Sequence, residues 1–312
     1  MAIKQIQTKS GLYIHYQDEG KKSAPAIILI MGLGAQMTVW PDVFYDALVN
    51  NNFRVIRFDN RDVGLSSQLN ERDAPSLFSI WLNKHFSLGK PAPYSLEDMA
   101  EDVISLMQEL KISHAHLVGA SMGGMIAQII AAKYKKKVLS LTSIMSTPNV
   151  ISFSATTLKT IVKLAPLSQK PATRDSAINY NVKLNQTIGS PLFQPQESVL
   201  KAQAAEQIDR AHNPSGIKRQ LCAITATGKR THLIKKIKAP TLVIHGAADP
   251  LFPISEGINT AKLIQKSKLK IVPELGHDFP PKIMEKIAHW ISKHVRNAEK
   301  ICIQKKIKKL TK

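Results

Sequence analysis

The stretch that most constrains this chain is residues 114–130, where a strand passes into a helix through a very tight turn. His114 to Gly119 reads as a strand centred on Leu117 and Val118. Met122, Met125, Ile126, Ile129 and Ile130 then fall at i, i+3, i+4, i+7 and i+8, one apolar face of a helix. Between the two stands Gly119-Ala120-Ser121-Met122-Gly123-Gly124, a G-x-S-x-G pattern. At so sharp a turn any side chain at Gly119 or Gly123 would collide across it, and the serine backbone is strained. The strain lifts the hydroxyl above the sheet, and the helix N-terminus behind it favours negative charge. Ser121 is therefore the candidate nucleophile.

The rest of the chain alternates strand and helix signals, which predicts an α/β fold: a mostly parallel central sheet with helices on both faces. Leu12 to Tyr16 reads as an early hairpin strand, and Ala26 to Ile30 is an unbroken apolar run suited to a strand buried on both faces. Phe53 to Phe58 is a further strand, ending at Asp59. Ser95 with Asp98 three residues on opens a helix as a capping-box variant, with Met99, Val103, Leu106 and Leu110 as its buried face. Val138 to Met145 is the next strand. From about residue 149 the strand rhythm stops, and polar residues, short helical patterns and Pro166, Pro171, Pro191, Pro195 and Pro214 take over. It resumes after Pro240 with Thr241 to His245, then Leu269 to Val272, then a closing helix from about Pro281 to Val295. The expected organisation is a sheet domain in two parts, 1–148 and 233–297, a helical cap inserted at 149–232, and a basic tail at 298–312.

The formal charge of +20 separates two expectations for partners. Lys133 with Lys135 to Lys137, Lys235 with Lys236 and Lys238, and the end from Lys300 to Lys312 carry much of it. No nucleic-acid motif accompanies them, so no nucleic-acid partner is expected. The plain reading is lysine spread over solvated faces with a frayed tail. The sharper one is weak contact of the tail with anionic membrane, since Ile303, Ile307 and Leu310 have helical spacing. No stretch has the apolar length to span a bilayer, and Met1 to Gln7 has no apolar signal core. Two cysteines, Cys222 and Cys302, read as free thiols in a reducing, cytoplasmic compartment.

A serine hydroxyl is a poor nucleophile at neutral pH and needs a base, and the base needs an orienting acid. Asp249, in Gly246-Ala247-Ala248-Asp249-Pro250, follows one resumed strand, and His277, in Glu274-Leu275-Gly276-His277-Asp278, follows the other. In a parallel sheet all strand C-termini lie on one edge, so Ser121, Asp249 and His277 are expected to converge there. The developing oxyanion needs backbone N–H donors. Met122, next to the serine, supplies one, and Leu33, in Met31-Gly32-Leu33-Gly34 after the Ala26–Ile30 strand, the other.

With these motifs in order, the chain resembles an α/β-hydrolase from about Leu12 to Val295. Asp59-Asn60-Arg61-Asp62-Val63-Gly64-Leu65-Ser66 resembles the family's D-x-R-G-x-G-x-S loop, with Asp62 in place of a glycine. That aspartate, Gly276-His277-Asp278-Phe279-Pro280, and Arg210 with Gly216-Ile217-Lys218-Arg219-Gln220 resemble the aclacinomycin methylesterase-like and proline iminopeptidase-like branch. The resemblance implies a serine hydrolase that cleaves a small carboxylic ester without a cofactor or metal. Many relatives carry His-Gly where this chain has Met31-Gly32, which bears on loop packing rather than chemistry. An aminopeptidase with the same triad would need cap carboxylates, for which Glu197, Glu206 and Asp209 are available. The same fold and triad also suit a lipase, and a ligand-binding protein without catalysis can be built on them too.

Several residues have a plainer expected role. His245 packs beside the acid loop, and His114, His116, His289 and His294 show no partner signal and no metal spacing. Asp278 caps the closing helix at Pro280. Asp59, Arg61 and Asp62 hold their loop by hydrogen bonds and an ion pair. Met37, Trp40 and Phe279 either line an acyl pocket or belong to the core, the commoner fate of such side chains.

Overall fold

The computed structural model of the chain describes residues 2–149 and 173–310. Its sheet has eight strands: β1 (Lys4–Gln7), β2 (Tyr13–Glu19), β3 (Ala26–Ile30), β4 (Arg54–Phe58), β5 (Ala115–Ala120), β6 (Val138–Ile144), β7 (Thr241–Gly246) and β8 (Ser267–Val272). Their order is β1-β2-β4-β3-β5-β6-β7-β8. The β1–β2 and β2–β4 pairs are antiparallel, and every pair from β4 to β8 is parallel. The expected architecture is therefore the one found.

The central strands are buried on both faces, which is why they read as continuous apolar runs. On β3, Ile28 and Ile30 join a core with the helices α3 (Leu96–Glu109) and α4 (Met122–Lys133). Ile27 and Leu29 point the other way, into a core with α1 (Asp42–Asn50) and α10 (Pro281–Leu310). At the sheet edge, β8 alternates instead, with Lys268 and Lys270 exposed, and these charges discourage pairing with another chain. Ser95 caps α3 as expected: its hydroxyl accepts from the Asp98 N–H, and the Asp98 carboxylate accepts from the Ser95 N–H.

Between β6 and β7 the described chain is helical: α5 (Arg174–Ile188), α6 (Glu197–Arg210), α7 (Pro214–Thr227) and the short α8 (Thr231–Ile234). Pro166 and Pro171, with the rest of 150–172, lie outside the described residues. The helices α1, α2 (Leu77–Phe86) and α9 (Ile254–Leu263) have no counterpart among the elements expected from the sequence.

The closing helix does not end at Val295 but runs to Leu310, taking in the segment expected as a tail. No glycine or proline follows Pro281, so nothing stops it. Ala298 is still buried, and Glu299 reaches back to His116, whose Nε2 lies 2.9 Å from its carboxylate. His116 therefore has partners after all; its Nδ1 lies 2.8 Å from the Ser140 hydroxyl. Cys222 is buried, Cys302 is partly exposed, and both are free thiols.

Candidate active site

Ser121 sits between β5 and α4 with φ 53° and ψ −119°, a conformation that L-residues rarely adopt. A Cβ on Gly119 would lie 2.2 Å from the Gly123 carbonyl oxygen, and one on Gly123 would lie 2.0 Å from that of Ile30. Both glycines are thus required by close backbone approach. The strained residue is fixed from both sides: its N–H donates to the Ile144 carbonyl at 2.9 Å, and the Ser146 hydroxyl donates to its carbonyl at 2.8 Å.

Loops at the ends of β7 and β8 bring Asp249 and His277 to the same place. His277 Nε2 lies 3.0 Å from Ser121 Oγ, and His277 Nδ1 lies 2.8 Å from Asp249 Oδ2. The other carboxylate oxygen of Asp249 accepts from the Leu251 and Phe252 N–H groups at 2.8 and 2.9 Å. Burial works against ionising Asp249, but the facing imidazole and these N–H groups prevail and hold its pKa below the ordinary carboxylate value. The Phe252 ring stands edge-on to the His277 ring, 5.5 Å between centroids.

His245 supports the acid loop, as expected. Its Nε2 lies 2.9 Å from the Phe252 carbonyl oxygen and therefore carries the proton. Burial pushes its pKa down, so it stays a neutral donor 3.9 Å from Asp249. Asp278, by contrast, does not serve as the cap expected of it; it accepts a hydrogen bond from Ser190. Ser190, fully buried, in turn accepts from the Gly276 N–H at 2.8 Å, and the His277 N–H donates to the Ile188 carbonyl at 2.8 Å. The end of α5 and the residues after it thus clamp the histidine loop, a relationship invisible in the sequence.

The loop after β3 lies against the serine: a Cβ on Gly32 would be 3.1 Å from Ser121 Cβ. Leu33 follows Gly32, and Met122 opens α4, where the first N–H groups of a helix have no intrahelical acceptor. Neither N–H donates to a protein acceptor among the described residues. Met31 is buried, and its carbonyl accepts from the Asn60 amide at 3.0 Å.

The Asp59–Ser66 loop is held by ion pairs as expected, but its partners come from distant elements. Asp59 accepts from the Met37 and Leu65 N–H groups and pairs with Arg210 at 2.7 Å. Arg61 pairs with Asp102 of α3, and Asp62 with Arg219 of α7. Gln220 accepts from the Gly34 N–H at 2.8 Å and donates to the Arg61 carbonyl at 2.9 Å, joining α7 to both loops. Met37 and Trp40 belong to the core, Trp40 packing on Phe44 and Phe279 at 5.3 and 5.0 Å. Glu197, Glu206 and Asp209 all lie on α6, with Glu197 paired to Lys201 and Asp209 to Arg174. None of the three is buried, as a carboxylate lining a closed substrate pocket would be.

Both the sequence and the fold have counterparts among known proteins. Rhodomycin D methylesterase DauP of Streptomyces sp. (strain C5) is 24% identical over 93% of this chain and 97% of its own length. 3-Oxoadipate enol-lactonase 1 of Acinetobacter baylyi is 23% identical over 86% of this chain and 87% of its own. Among solved structures, the enol-lactonase from Burkholderia xenovorans LB400 superposes with a TM-score of 0.70 at 22% identity, covering 95% of this chain and 100% of that one. The esterase EaEST from Exiguobacterium antarcticum gives 0.71 at 20% identity, covering 94% and 98%. Residues 25–281, most of the chain, match the family model described as the alpha/beta hydrolase fold, and the chain belongs to that family.

Proposed function

We propose that this protein hydrolyses a small carboxylic ester through an acyl-enzyme formed on Ser121. Ser121 Oγ attacks the ester carbonyl while His277 Nε2 takes its proton. Asp249 fixes the ring so that Nδ1 carries its own proton, and stabilises the imidazolium. The Leu33 and Met122 N–H groups receive the carbonyl oxygen as it becomes an oxyanion. The tetrahedral intermediate collapses, the C–O bond to the alcohol breaks, and His277 returns the proton to the leaving oxygen. Water then attacks the acyl group by the same route, releasing the acid and restoring the Ser121 hydroxyl.

The observation that carries this reading is the unbroken relay from Ser121 through His277 to the buried Asp249, at 3.0 and 2.8 Å. Relatives named methylesterase and enol-lactonase support an ester as the substrate, and the former favour a methyl ester. Residues 149–232 form the cap in this reading, and acyl and alcohol preference resides there. In support, Ile217 of α7 packs within 2.8 Å of where a Gly34 Cβ would lie, one residue from Leu33.

The test is labelling with a fluorophosphonate, followed by mass mapping of the modified peptide and turnover of a panel of methyl and aryl esters. Labelling at Ser121 together with ester turnover is expected, both lost in Ser121→Ala. A folded protein that takes no label and turns over no ester would overturn the reading. Turnover of a proline amide without ester turnover would replace it with the aminopeptidase.

A further inference from the structure

Away from the triad, large apolar side chains stand exposed along one continuous segment. Leu77, Phe78, Trp81, Phe86 and Leu88 are 47, 67, 44, 59 and 62% exposed. Leu77, Phe78, Trp81 and His85 share one face of α2. The rings form a cluster: Phe78 stacks on Trp81 at 6.0 Å, and Phe86 stands edge-on to it at 5.6 Å. Keeping several large rings together in water is unfavourable, and such a patch marks a surface that meets something else.

Its charge indicates what that is. From Ser76 to Ser95 the chain has no acidic residue and carries Lys84, His85 and Lys90, all exposed. The Lys84 ammonium donates to the Ala226 carbonyl beside exposed Lys229. Glu71 and Asp73 lie on the preceding loop, and Glu71 is paired to Arg72. A second copy of a chain with charge +20 would be repelled from this face. An extended negative surface with an apolar interior suits both features. Tryptophan and phenylalanine seat at the boundary of a bilayer, while lysines meet anionic headgroups.

We propose that the exposed face of α2 docks onto an anionic lipid bilayer. α2 packs on α7, and Ile217 of α7 reaches the Gly34 loop, so the docking helix is joined through α7 to the loop beside Leu33. The surface is distinct from the C-terminal lysines, and the proposal does not depend on the ester-hydrolase reading.

The full-length protein is sedimented with vesicles of phosphatidylcholine containing phosphatidylglycerol, and with phosphatidylcholine alone. Brominated lipid, which quenches indole in contact with acyl chains, reports on Trp81. Binding to the anionic vesicles is expected, with quenching that disappears in Trp81→Phe. The triple variant Phe78→Ser, Trp81→Ser, Phe86→Ser should bind about tenfold more weakly or worse, since its apolar contact is gone. Its thermal midpoint shows that the fold is kept. Trp81→Phe alone, which retains the apolar surface, should bind as the wild type does. The proposal fails if the folded wild type ignores anionic vesicles, or if binding survives the triple substitution but is lost on deleting residues 298–312. It fails equally if the wild type is a dimer that the triple variant dissociates, for then a second copy covers the patch.

Discussion

Asp62 and Arg219 face each other fully buried, with Nε 2.8 Å from one carboxylate oxygen and Nη2 2.7 Å from the other. Tyr94 donates to the same carboxylate at 2.7 Å, and the guanidinium also meets Asn70 at 2.9 Å. The pair fastens α7 to the loop after β4. A buried pair this well satisfied adds little net stability, but removing one partner strands the other charge in the interior. Arg219→Ala is expected to cost roughly 3–5 kcal/mol of unfolding free energy. Urea denaturation measures it, and a loss under about 1 kcal/mol would mean that water reaches Asp62.

Two groups make the fold sensitive to acid. Burial presses His294 of α10 from an ordinary 6.5 down to about 4. The unfolded chain then takes up a proton below about pH 6.5 that the native state refuses until about pH 4, so stability falls across that interval. Asp62 is also depressed: burial opposes its ionisation, but the bonds from Arg219 and Tyr94 prevail. Its contribution is present above the unfolded value of 3.8 and is lost as pH drops through the lower native one. The thermal midpoint should therefore decline from pH 6.5 to 4 less steeply in His294→Leu than in the wild type. Parallel curves would show that His294 is protonated in the native state.

What was legible in the sequence was local. Ser121, Asp249 and His277 each sit in a short motif at a strand end, and parallel topology does the rest, bringing them together. The capping box at Ser95 is likewise complete within four residues. Contacts between distant segments left no such mark. Arg219 lies 157 residues from Asp62 and Ser190 lies 88 from Asp278, and nothing in either neighbourhood names the other. His116 showed no partner because its carboxylate, Glu299, lies 183 residues away, on the part of the closing helix beyond Val295.

The strain at Ser121 is measurable apart from catalysis. Its φ of 53° with ψ of −119° is glycine territory, and such strain costs of order 1–3 kcal/mol. Glycine there removes the strain but loses more chain entropy on folding, about 0.5–1 kcal/mol. Ser121→Gly is therefore expected to be more stable than the wild type by about 1 kcal/mol, and Ser121→Ala is not. Both should lose ester turnover by on the order of 10⁴-fold or more. Equal stabilities for the glycine and alanine variants would mean that the turn relaxes in solution.

Ser190 ties the segment after α5 to the loop that presents His277, the proposed base. Its hydroxyl bridges the Gly276 N–H on one side of His277 and the Asp278 carboxylate on the other. Alanine would take this donor from the half-buried Asp278 carboxylate and loosen the loop. The His277 N–H bond to Ile188 would remain to keep the loop folded. In the proposed mechanism proton transfer from Ser121 depends on the 3.0 Å approach to His277, so small displacements fall on the chemical step. Ser190→Ala should lower kcat roughly 10- to 100-fold, with a smaller change in KM and in the thermal midpoint. The same variant should also be labelled more slowly by fluorophosphonate, since the reagent requires the same activated hydroxyl. A change confined to KM would instead assign Ser190 to the wall of the substrate pocket.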